Sequence, residues 1–200
     1  LTRFKKIGVY LFLCVFLLSI FFNYRYYQTI KEEEQQFAYL FTDFYYEVDE
    51  TIDSLEFLLT HDPEGNKLID SMVSFLNQLT RIDFMLRRVP YYFFSEGGVS
   101  NSVGAAANYI ERGTKHKGQF IPPFLEDGRL NGQERAFLQE LNSFLLQVQY
   151  ALNGLEKRSD VPIRDLDKVR FDRVLTENVY NEIHHYRFLE AYVKEGQGSN

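Results

Sequence analysis

The stretch IGVYLFLCVFLLSIFF, residues 7 to 22, contains no charged side chain. A helix rises about 1.5 Å per residue, so these residues cover about 24 Å. Extended through Phe4 and on to Tyr27, the segment reaches the roughly 30 Å of a bilayer core with its interfaces. Phe4 at one end and Tyr24, Tyr26 and Tyr27 at the other fit an aromatic belt. A cleaved signal peptide would need small residues after the apolar run, but SIFFNYRYY is bulky. The segment therefore reads as an uncleaved transmembrane helix. Arg3, Lys5 and Lys6 precede it, which predicts a cytoplasmic N-terminus and an extracytoplasmic remainder.

Charge limits the partners of that remainder. Apart from Arg3, Lys5, Lys6 and Arg25, no side chain before Lys31 is formally charged. Setting those four aside leaves 18 cations against 28 acids, or −10 beyond residue 27. Such a surface repels phosphate backbones, so nucleic acid is not an expected partner. Cys14 is the one cysteine and lies within the apolar segment, which removes thiol catalysis and intrachain disulfides from consideration.

Beyond the span the pattern is helical. Phe37, Phe41, Phe44, Val48, Ile52, Leu55 and Leu59 recur at steps of three and four. Leu68, Met72, Phe75, Leu79, Ile82, Leu86 and Val89 form a strict heptad seam. Leu138, Leu141, Leu145, Val148, Leu152 and Leu155 repeat the pattern. A last helix from about 165 to 194 would bury Phe171, Leu175, Val179, Ile183, Tyr186, Leu189 and Val193. The turns HDPEGN (61 to 66) and SDVPI (159 to 163), the latter with Asp160 as a cap, separate these segments. A glycine- and serine-rich stretch (95 to 104) precedes a short helix at about 105 to 112. No sustained strand-like alternation occurs. The predicted fold is all-α: an N-terminal transmembrane helix followed by an antiparallel four-helix bundle. Its parts are a cytoplasmic tail (1–6), an anchor (7–27), an extracytoplasmic bundle (28–195) and a flexible C-terminus (196–200).

Two features resist that plan. The connection 113–132 has no periodicity, and long loops in compact domains are commonly functional. Within it FIPPF offers Phe120 and Phe124, either as a docking element or, the favoured alternative, as plugs for the core. On the first helix, Tyr39, Tyr46 and Phe57 lie about 180–200° from Phe37, opposite its apolar stripe. They read equally well as a contact surface or as a face covered by another part of the chain.

NEIHHYRFLEAY (181 to 192) is the strongest chemical motif. Measured from Leu175 on one continuous helix, Glu182 falls at about 340°, inside the stripe, and His185 at about 280°, on its flank. His184 falls at about 180° and should face solvent. Glu182 and His185 make one E-x-x-H pair, half of a di-metal carboxylate signature, and the chain has no second such pair. The expected role is structural, with Glu182 neutralised or hydrogen-bonded in the core and no metal or other cofactor. No P-loop, G-x-S-x-G or H-E-x-x-H motif occurs, so no enzymatic activity is expected.

LRRVPYYFF (86 to 94), SVGAAANYIERGT (102 to 114) and RLNGQERAFLQELNSFLLQVQYAL (129 to 152) resemble the N-terminal region of YpeB-type spore-germination proteins. Leu130, Glu134, Leu138 and Leu141 match that family's helix start. The resemblance implies a non-catalytic membrane protein of sporulation or germination that holds a cell-wall lytic enzyme at the spore membrane. Read from its residues, the chain is a single-pass membrane protein whose outer domain is expected to bind another envelope protein, with a homo-oligomer as a further expectation. The alternative is a ligand-sensing bundle of a receptor-like protein.

Overall fold

The computed structural model describes residues 2–93, 101–124, 128–153 and 168–198, and most of them are helical. Helix α1 is Thr2–His61, α2 Asn66–Phe93, α3 Ser102–Arg112 and α4 Gly132–Asn153. Helix α5 is Lys168–Val174, a π-turn follows at Leu175–Val179, and α6 is Ile183–Gly198. Strands β1 (Thr114–His116) and β2 (Gln119–Ile121) complete the described elements. The chain divides into two compact units, Leu1–Phe41 and Thr42–Asn200.

In the first unit, α1 is long and apolar enough to cross a membrane. Among its described side chains, the large apolar residues from Tyr10 to Phe22, with Ile7, lie on the surface all around the helix.

The core of the second unit follows the heptads. Phe44, Val48, Ile52 and Leu55 are buried on α1, joined by Tyr45 and Leu58, whereas Leu59 is only partly covered. On α2 every seam residue from Leu68 to Leu86 is buried; the side chain of Val89 lies outside the described set. On α4, Leu138, Leu141, Leu145, Val148 and Leu152 are buried with Phe137 and Phe144. Leu155, the SDVPI turn with Asp160, and residues 94–100 lie outside the described residues. Helix α4 packs on α6 and α5, and α3 packs on α2 and α6. Two polar rungs tie α1 to α4: Asn153 Nδ2 donates to Tyr45 Oη at 2.8 Å, and Gln149 Nε2 to Asp49 Oδ1 at 2.6 Å.

Side-chain caps set the helix boundaries. Asn131 and Glu134 form a reciprocal capping box at α4, each side chain accepting from the other's backbone N–H at 2.9 Å. Asn101 caps α3 by accepting from the Gly104 N–H at 2.8 Å. Gly113 ends α3 at φ 69°, with its N–H donating to the Tyr109 carbonyl at 2.9 Å. A Cβ at Gly113 would meet the Ile121 carbonyl oxygen, so glycine is required both by conformation and by space.

Three expectations are corrected. The loop 113–132 contains a β-hairpin, pairing Thr114 with Ile121 and His116 with Gln119. Lys117 and Gly118, both at positive φ (49° and 82°), form the two-residue turn favoured by strand twist. The last helix is not continuous. The π-turn and a break at Tyr180–Glu182 shift the phase of everything after them. Ile183 and Tyr186 are consequently half-exposed, while Phe188, Leu189, Tyr192 and Val193 are buried. Finally, residues 196–198, expected in the C-terminal tail, continue α6 to Gly198.

Candidate functional site

The helix break decides the geometry of the histidine motif. Asn181 Oδ1 accepts from the Ile183 N–H at 3.1 Å and starts α6 afresh. Two neighbours hold the break: Ser102 Oγ donates to the Asn181 carbonyl at 3.1 Å, and Tyr180 Oη donates to the Leu86 carbonyl at 2.9 Å. Burial and the nearby Asp172 carboxylate push the Tyr180 phenol up to about 12, so it remains a donor.

With the phase reset, the sequence assignment of the motif inverts. His184 is buried at 6% exposure, its ring 4.9 Å from that of Phe144 on α4. Glu182 precedes α6 and is exposed, not inside the apolar stripe. Burial, with the Arg187 cation adding to it, lowers the His184 pKa; Glu140 on α4 acts in the opposite sense. Burial also lowers His185, against the pull of Glu182. Among the described residues, no three His, Cys, Asp or Glu side chains come close enough together to hold a metal ion.

His185 instead joins a row of rings linking three elements. Tyr109 of α3 lies 6.3 Å from His185, His185 lies 4.3 Å from Tyr186, and Tyr186 lies 6.2 Å from His116 of β1. His116 is buried and its Nε2 has no hydrogen-bond partner. Lys117 at the hairpin turn donates to Glu190 at 2.8 Å, which holds the Glu190 carboxyl below its ordinary value and ties the turn to α6. The two phenylalanines of FIPPF separate here. Phe124 is 7% exposed and packs against Phe137 and Tyr192 in the core. Phe120, on the outer face of β2, is 60% exposed.

Tyr109 also borders an open groove of about 430 Å³ between α2 and α3. Thr80, Asp83 and Arg87 form one wall, and Asn101 and Asn108 stand on the other with Tyr109. Asp83 organises the groove, accepting from Arg87 Nε at 2.8 Å and from Asn101 Nδ2 at 2.7 Å. A side chain at Gly104 would collide with Asp83, so glycine sets the close approach of α3. The lining offers donors and acceptors together, suited to a polar ligand with both kinds of group.

The aromatic line on α1 is on the surface. Tyr39, in the first unit, is exposed. In the second unit Tyr46 packs edge-on against Tyr45, and Phe57 stacks on His61 at 4.5 Å, yet both remain exposed. Sequence reasoning missed a parallel line on α2, where Ile69, Val73 and Phe84 are exposed. Its signal was present as steps of four and eleven along the helix. The chain matches no protein-family model, no curated protein and no solved structure.

Proposed function

We propose that residues 7–27 anchor the chain in a membrane with its N-terminus cytoplasmic. The outer domain is then an antiparallel four-helix bundle acting as a non-catalytic protein-interaction module of the cell envelope. The observation that carries this reading is the exposed aromatic set on the second unit, where Phe120 and Tyr186 stand on the hairpin and on α6. Exposed aromatics on a folded surface favour protein contact. The resemblance to YpeB-type proteins adds a class of partner, a cell-wall lytic enzyme, and a setting in sporulation or germination.

Affinity capture of the detergent-solubilised full chain from its native membrane tests the proposal. A specific envelope protein should be retained by the wild type and lost by the Phe120→Ser, Tyr186→Ser double variant. Equal retention by both, or no specific retention, contradicts it.

A second reading, a ligand-sensing bundle, is favoured by the groove between α2 and α3. It requires that a small polar ligand raise the melting temperature of the wild type and not of an Asn108→Phe variant, whose ring fills the groove.

A further inference from the structure

We propose that the groove between α2 and α3 binds a neutral oligosaccharide. This rests on the second reading above, in which the groove is a ligand site, and adds the chemical class of the ligand.

The charges along the groove cancel in pairs. Asp83 and Glu111 line it together with the guanidinium of Arg87. Arg87 Nε is held on both oxygens of Asp83, at 3.0 and 2.8 Å, and Glu111 stands beside Arg112 at 3.9 Å. An anion would meet two carboxylates and a cation would meet the guanidinium. Each would give up its water at a place where the opposite charge is already paired. An uncharged ligand avoids that cost.

The other hydrogen-bonding groups are neutral, and they both donate and accept. Asn101 Nδ2 donates to Asp83 at 2.7 Å, and its Oδ1 accepts from the Gly104 N–H at 2.8 Å. A carboxamide has two hydrogens and two lone pairs, so these bonds do not exhaust it. The Asn108 amide is exposed on the same helix. Thr80 spends its hydroxyl proton on the Leu76 carbonyl at 2.8 Å and offers an acceptor. Burial, with Tyr186 and Glu182 adding to it, raises the Tyr109 phenol, which stays protonated as a donor. Neighbouring hydroxyls on a sugar ring present a donor and an acceptor side by side. They match the two ends of a carboxamide, and a single hydroxyl can serve Thr80 or Tyr109 alike.

Shape agrees with this chemistry. Sugar rings also have apolar C–H faces, and Ala105, Ala107 and the Tyr109 ring offer contact for them. The groove holds about 430 Å³, within the ~300–1,000 Å³ of small-molecule sites. It is open to solvent, so a chain can lie in it with its ends continuing outside. Both walls are set before any ligand arrives. Asn101 caps α3 and bonds to Asp83 of α2, and Gly104 alone permits the close approach of the two helices. A pre-set site loses less order on binding.

The test is a ligand-observed NMR titration of the full chain in a detergent without a sugar head group. Chitotetraose, cellotetraose and maltotetraose are the probes. At least one should bind saturably, with a dissociation constant of about 1 mM or tighter. Asn108→Ala should weaken that binding about tenfold, and Asn108→Phe should abolish it. Because position 108 is exposed, both variants should melt as the wild type does. Phe120→Ser, on the hairpin, should bind the saccharide as the wild type does. Absence of saturable binding by all three probes overturns the proposal, and so does equal binding by Asn108→Phe. Glycine, a zwitterion, is the contrasting probe. If glycine binds, loses binding in Asn108→Phe, and the saccharides do not bind, the ligand-site reading stands and the oligosaccharide is wrong.

Discussion

Protonation of His184 would place a cation against Phe144 and beside Arg187, at the positive end of the α6 dipole. The folded state therefore holds the imidazole neutral, with its pKa below the ordinary 6.5. The unfolded chain binds the extra proton first as pH falls. The stability contributed by neutral His184 is thus fully present above about 6.5 and is lost as pH drops toward the lowered folded value. Melting temperatures across this window should fall more steeply for the wild type than for His184→Phe, in which His185 still titrates. Parallel curves would show that His184 is not buried in solution. The two phenylalanines of FIPPF provide a second comparison at this scale. Phe124→Ala should cost about 3–5 kcal/mol, because it opens a cavity against Phe137 and Tyr192. Phe120→Ala should change stability by less than about 0.5 kcal/mol. Chemical denaturation of the two variants distinguishes plug from surface residue.

At the scale of elements, the seam of α2 was legible because seven apolar residues keep one period without interruption, and the structure buries it from Leu68 to Leu86. Leu79→Ala should cost about 2–5 kcal/mol in a denaturant melt, and a negligible change would mean the seam faces solvent. The last helix was misread because its apolar residues were projected on one uninterrupted helix. A five-residue π-turn and the break held by Asn181 change the phase without disturbing the hydrophobic composition. Glu182 and His184 exchanged places for that reason alone. The hairpin escaped notice because its three-residue strands are too short to show alternation. Its remaining local signal was Lys117-Gly118 between Thr114 and Ile121. Gly113 tests how the hairpin joins α3. Gly113→Ala combines positive φ with a collision at the Ile121 carbonyl and should destabilise by more than about 1 kcal/mol. Gly118→Ala, with open space around it, should cost less.

In the whole molecule, the N-terminal part of α1 is an apolar helix that a soluble protein would not leave exposed over its full circumference. The proposed function requires that helix to lie in a bilayer with Arg3, Lys5 and Lys6 on the cytoplasmic side. The groove, the ring row and the acidic surface of residues 28–200 then face the cell exterior or the wall. Lys115→Cys, exposed on β1, tests this arrangement directly in the full chain with Cys14→Ser. A membrane-impermeant maleimide applied to intact protoplasts should label this cysteine as fully as it does after permeabilisation. Labelling that appears only after permeabilisation would put the domain in the cytoplasm and contradict the account.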